Sequence, residues 1–126
     1  GDLPLKLRSL SLNSNNVSFI DYLPDTIEEL ELGYNFNLEL NNLPSSIKKI
    51  TFDKYSRYNK KLNCLPNGLE VLQLPRGYNE QIQNIPSGLT KLVCSNYYTR
   101  LYKCQKYFKC ILVEIYYTPD LIKFHI

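Results

Sequence analysis

An aliphatic-Pro pair returns along the chain at Leu3-Pro4, Leu23-Pro24, Leu43-Pro44, Leu65-Pro66 and Ile85-Pro86, in steps of 20, 20, 22 and 20 residues. The fourth, seventh and ninth positions after the aliphatic residue of each pair complete the unit: Leu7, Leu10, Leu12; Ile27, Leu30, Leu32; Ile47, Ile50, Phe52; Leu69, Leu72, Leu74; Leu89, Leu92, Cys94. All fifteen are apolar in a chain that is 44% hydrophobic, so the pattern is not accidental. Repetition at this period constrains the fold more than any other feature.

The last two members of each set, as in "EELEL" and "EVLQL", alternate with polar residues as a short strand with one buried face does. The proline upstream suits a turn and would harm a central strand, where its missing N–H breaks the ladder. A unit of about 20 residues with one short strand cannot bury its own apolar face. Stacked units can, with strands about 4.8 Å apart in a parallel ladder. The expectation is a mainly β, leucine-rich-repeat-like, right-handed solenoid. It has about five to six coils of 20–22 residues and an irregular C-terminal cap.

Each coil needs a return limb, which reads Phe36-Asn37…Leu40, Tyr58-Asn59…Leu62 and Tyr78-Asn79…Ile82 in the clearest copies. The aromatic and aliphatic residues are expected to fill the interior opposite the strand. Asn37, Asn59 and Asn79 are expected to form a structural ladder, satisfying backbone groups of a tight buried turn. The first copy has Val17 and Ile20 without the aromatic-Asn pair, and the fifth has Tyr97-Tyr98 followed by Thr99. Such worn end units suit caps.

The pattern [FY]-N-x-x-[IL]-x-x-[LI]-P-x-x-[LI]-x-x-[LI]-x-[LF], over roughly residues 3 to 99, resembles the FNIP repeat. This leucine-rich-repeat relative occurs mainly in social amoebae and giant DNA viruses. The resemblance implies a solenoid of that kind. It also implies, by analogy with members that carry an F-box, the substrate-recruiting part of a ubiquitin-ligase adaptor, although no F-box helices are evident here. The sequence departs from the pattern at the first coil, at a two-residue insertion within 53–61, and beyond residue 100.

Residues 1–99 are read as the repeat solenoid and 100–126 as an irregular sixth coil or cap of the same domain. Strands are expected at Ile111–Tyr116 and Leu121–Ile126. Cys110, Val113 and Ile115 fit the unit spacing 21 residues after the fifth copy. Leu101, Cys104, Phe108, Ile111 and Ile115 alternatively fall at helical spacing, so a capping helix stays open. Either would close one end of the ladder against edge pairing.

No catalytic constellation, metal site or cofactor motif emerges. His125, the lone histidine, is penultimate, and Cys104, Cys110 and His125 match no zinc spacing. The chain is therefore not expected to be an enzyme. Gly1 reads as an expression remnant or the start of a domain cut from a longer chain, since the sequence contains no Met. No apolar run has the length of a membrane span. Without a secretory leader the four cysteines are expected to be reduced thiols. That places the protein in the cytoplasm or nucleus, of a host cell if it is viral, and not among secreted proteins.

What remains is surface. The residues flanking the buried strand positions make two rows: Ser9, Glu29, Lys49, Val71, Lys91 and Ser11, Glu31, Thr51, Gln73, Val93. They vary while their neighbours do not, and they are the candidate contacts to a protein partner. Asn13, Gly33, Asp53, Pro75 and Ser95 extend the face by one step. Charge is zoned, with six acids and no base in 21–39 and six bases against one acid in 48–61. A second basic zone, 97–109, interleaves Arg100, Lys103, Lys106 and Lys109 with five aromatics. The leading expectation is a protein-interaction module. The alternative is a nucleic-acid-binding accessory protein using the 48–61 and 97–109 zones.

Overall fold

The computed structural model describes residues 6–15, 20–98 and 112–115. Six short strands form one sheet: β1 (Ser9–Leu12), β2 (Glu29–Leu32), β3 (Lys49–Phe52), β4 (Val71–Gln73), β5 (Lys91–Cys94) and β6 (Leu112–Ile115). Their spatial order is their sequence order, and every pair is parallel. This is a leucine-rich-repeat-like β-solenoid. The steps from β1 to β5 make about four turns, somewhat fewer than the five to six coils expected, because the return to β6 lies outside the described residues.

The register follows the repeat. Leu10, Leu30, Ile50, Leu72, Leu92 and Val113 are successive ladder partners, and Cys94 pairs with Ile115. The 22-residue step between Lys49 and Val71 therefore leaves the ladder unbroken. Of the fifteen repeated apolar positions, all are buried except Leu7 and Leu10, which are half-buried and packed against the core. Both belong to the first described coil, which has a described neighbour on one side only.

Two turns shape each coil. Upstream of the strand, the N–H groups of Ile27, Ile47, Leu69 and Leu89 donate to the carbonyls of Pro24, Pro44, Pro66 and Pro86 at 3.1–3.3 Å. This is the three-residue reach of a β-turn, and it turns the apolar residue inward. Downstream, Phe36, Ser56 and Tyr78 donate to the carbonyls of Gly33, Asp53 and Pro75. Hydroxyls then tie one coil to the next: Thr26 Oγ1 donates to the Leu7 carbonyl and Ser46 Oγ to the Ile27 carbonyl, both at 2.7 Å.

The return limb fills the core with Phe36, Tyr58, Tyr78 and Tyr98, each no more than 2% exposed, and with Leu40, Leu62 and Ile82. Phe36 stacks on Tyr58 at 6.0 Å between ring centroids, and Tyr78 meets Tyr98 at 5.8 Å. The phenols are not left unpaired. Tyr58 donates to the Leu38 carbonyl at 2.9 Å, Tyr78 to that of Lys60 at 2.8 Å, and Tyr98 to that of Glu80 at 3.0 Å. In each case the acceptor lies two residues after the aromatic of the coil before. Burial pushes the Tyr58 and Tyr78 hydroxyls well above the usual phenol range.

The asparagines behave differently from the buried ladder expected of them. Asn37, Asn59 and Asn79 are exposed, because the aromatic before each takes the interior and the next side chain then faces outward. They bond along the edge instead. Asn59 Oδ1 accepts the Asn79 backbone N–H at 2.9 Å while Asn59 Nδ2 donates to Asn79 Oδ1 at 2.8 Å. The Asn37 N–H donates to Asn15 Oδ1 at 2.6 Å.

At the C-terminal side, β6 occupies 112–115, inside the strand expected at 111–116. Its partner Leu92↔Val113 keeps the 21-residue offset. The alternative helix through Leu101, Cys104, Phe108, Ile111 and Ile115 fails at its C-terminal end, because residues 112–115 are strand paired with β5; its remainder and the further strand expected at Leu121–Ile126 lie outside the described residues.

Candidate partner-binding face

The side of the ladder away from the core carries the two polar rows in register. Ser9, Glu29, Lys49, Val71 and Lys91 are successive partners, as are Ser11, Glu31, Thr51, Gln73 and Val93. Ser9, Ser11, Glu29, Glu31 and Lys49 are exposed; Thr51, Val71, Gln73 and Lys91 are half-buried. Val93 departs from the set. It is only 9% exposed, flanked in the ladder by Gln73 of β4 and Glu114 of β6, so it is not an available contact residue.

Where these rows meet the downstream turns, the face opens into a groove of about 530 Å³. Ser11, Glu31, Thr51 and Gln73 of the strands line it together with Asn13, Gly33, Tyr34, Asp53 and Lys54 of the turns. Its polar groups are partly fixed by the protein. Ser11 Oγ donates to Glu31 Oε2 at 3.3 Å, Gln73 Nε2 to the Phe52 carbonyl at 3.1 Å, and the Tyr55 N–H to Asp53 Oδ1 at 2.8 Å. Asn13 Oδ1 accepts the Asn35 N–H at 3.0 Å. Asn13 lies so close to Gly33 that any Cβ there would overlap the amide. A second depression, of about 420 Å³, lies between Asn15, Asn37, Tyr34, Arg57 and Tyr58. Tyr34 is the wall the two share, and sequence reasoning did not single it out; an aromatic beside a glycine at a turn was the available signal.

The two charge zones sit on neighbouring coils without locking together. Glu29 and Lys49 are ladder partners, yet the one ion pair among the described residues is Arg8–Glu28, at 2.8 Å. Its side chains are 77% and 42% exposed, so it contributes under about 1 kcal/mol. Of the 97–109 zone, Tyr97 is exposed and Tyr98 is core. Arg100, Lys103, Lys106 and Lys109 lie outside the described residues.

The face offers recognition groups and no assembled reaction centre among the described residues. No three His, Cys, Asp or Glu side chains there gather to hold a metal. Cys94 is a buried free thiol whose pKa desolvation pushes up to about 12, far from a nucleophile's range, and Cys64 is an exposed free thiol. Cys104, Cys110 and His125 lie outside the described residues. No described helix is long and apolar enough to cross a membrane.

The family model described as FNIP Repeat matches residues 16–55, which hold β2, the Phe36-Asn37 limb and β3. Residues 16–55 thus carry the FNIP repeat. Among solved structures it is similar to CroV588, described as a novel circular LRR protein structure, with 36% sequence identity and a TM-score of 0.58. The match covers 74% of this chain and 15% of the CroV588 chain, so the FNIP solenoid here spans a small part of that protein's length. No curated protein matches the sequence. The likeness places this FNIP array among leucine-rich-repeat folds, whose repeats build extended binding surfaces from invariant scaffold and variable exposed positions.

Proposed function

We propose that this FNIP solenoid is a non-enzymatic protein-interaction module that binds a protein partner across its strand face. The contacts are Ser9, Ser11, Glu29, Glu31, Lys49, Thr51, Val71, Gln73 and Lys91. The observation that carries the reading is the contrast between the two sides of one ladder. Inner partners stay apolar from coil to coil, while outer partners change in charge or in size and polarity from step to step beside an open groove. Scaffold needs explain the inner rows and leave the outer rows unexplained.

By family analogy, the partner is a substrate that the solenoid holds for ubiquitylation, with an F-box outside these residues recruiting the ligase. The cytoplasm or nucleus suits the free thiols Cys64 and Cys94. Reversing the charges of Glu29, Glu31 and Lys49 together should abolish partner capture from cell lysate while leaving the melting temperature unchanged. A partner that binds the triple variant normally would refute the strand-face assignment. Captured proteins whose ubiquitylation does not depend on the full-length chain would refute the adaptor role alone.

A further inference from the structure

Lys54 and Arg76 occupy the same turn position on adjacent coils, and the Arg76 backbone N–H donates to the Lys54 carbonyl at 2.9 Å. Two cations are thereby set side by side. Both also lie over one ring: Lys54 Nζ is 5.2 Å and Arg76 Cζ 5.6 Å from the centroid of Tyr55, which is 59% exposed. Those distances are within the range where the negative ring face attracts a cation. Arg57, two residues beyond Tyr55, adds a third positive charge on the same turn.

No carboxylate comes within ion-pairing distance of Lys54, Arg57 or Arg76 among the described residues. Yet pairing between coils is available to this fold, as Arg8 and Glu28 show. Like charges on neighbouring coils repel one another, and the shared ring of Tyr55 holds both in place. Two adjacent cations with no carboxylate partner among the described residues offer a site to an added anion.

We infer that Lys54 and Arg76, aligned on Tyr55, dock a carboxylate-rich segment of the protein partner at the rim of the strand-face groove. The inference rests on the reading of the chain as a protein-interaction module. The site is continuous with the groove, which Lys54 also lines. A single-stranded nucleic acid would add base stacking to its phosphate contacts, and Tyr55, the ring beside these cations, already carries both of them. An acidic peptide needs only the cations, which form charge-assisted bonds with carboxylates, bidentate in the case of arginine.

The test is fluorescence anisotropy with four labelled probes. Three are Gly-Ser peptides with a central Glu-Glu-Asp-Glu, Gln-Gln-Asn-Gln or Lys-Lys-Arg-Lys run, and the fourth is oligothymidine. The acidic peptide should bind, more weakly as salt is raised. The Lys54→Ala, Arg76→Ala double variant should lose roughly tenfold or more in affinity at an unchanged melting temperature. Tyr55→Leu, which keeps both charges and loses their alignment, should lose less. Failure of the acidic peptide to bind, equal binding by the double variant, or tighter binding of oligothymidine overturns the inference. If instead the neutral or basic peptide binds, and Thr51→Arg in the groove abolishes that binding, the strand-face reading stands and only the acidic docking falls. Binding of oligothymidine alone, unaffected by Thr51→Arg, overturns both.

Discussion

The Tyr78 hydroxyl reaches one coil back and donates to the Lys60 carbonyl at 2.8 Å, from a ring that is fully buried. The same reach is repeated by Tyr58 and Tyr98. A large apolar ring thus fills the coil while its single polar atom satisfies a carbonyl of the neighbouring limb. Tyr78→Phe should keep the packing and lose that bond, costing about 1 kcal/mol, and Tyr78→Ala about 3–5 kcal/mol. Urea denaturation of the two variants checks the difference.

Alkaline pH should expose the same burial. Tyr58 and Tyr78 hold their protons more tightly folded than at their ordinary value of 10.0, and Cys94 more tightly than at 9.0, in each case through desolvation. Well below pH 9 these groups are protonated in both states and stability is flat on their account. As pH rises past 9, and then past 10, the unfolded chain loses protons that the folded one keeps, and stability falls. Cys94→Ala should flatten the first part of the decline, between pH 9 and 10, despite lowering stability throughout. Denaturant midpoints measured across this range would show it; a slope unchanged by the substitution contradicts the role of Cys94.

Asn59 and Asn79 form an exposed link from coil to coil through two hydrogen bonds. Asn59→Ala should cost about 1 kcal/mol. The Asn59→Ala, Asn79→Ala pair should cost less than the two single changes summed, because each single change already breaks the amide pair. Additive thermal shifts would mean that the link contributes nothing.

Two glycines should respond oppositely to alanine. At Gly33 a Cβ would overlap the Asn13 side chain, which must move and release the Asn35 N–H. At Gly77 nothing lies within 4 Å, and neither glycine has a positive φ. Gly33→Ala should destabilise by about 1–3 kcal/mol, and Gly77→Ala should stabilise by up to about 1 kcal/mol through reduced freedom of the unfolded chain. A Gly33→Ala melting temperature at or above that of the parent would refute the crowding at Gly33, and a fall for Gly77→Ala would refute the open space there.

The ladder was legible in the sequence because its cause is periodic. Leu30, Ile50, Leu72 and Leu92 each face the same demand one coil apart, so the demand is written four times. The fate of Asn59 was harder to read. An amide serves a buried turn or an exposed edge equally well, and only the inward commitment of Tyr58 decides between them. Val93 shows the other limit: its alternation marks it as outward, but its burial depends on neighbouring strands rather than on its own coil. The rim of Lys54, Tyr55 and Arg76 was visible only as scattered charge, since Arg76 comes from a different unit and joins the others through stacking.

The two extra residues of the third coil fall between Asp53 and Tyr58, where Ser56 is buried and accepts the Tyr58 N–H on its Oγ at 3.1 Å. Lys49 and Val71 nevertheless remain partners. Strand register and loop length are thus separate variables in this architecture. Selection could lengthen the outer turns, or change what they present, without renegotiating the core. The stretch that has already been lengthened is the one that carries Lys54, Tyr55 and Arg57.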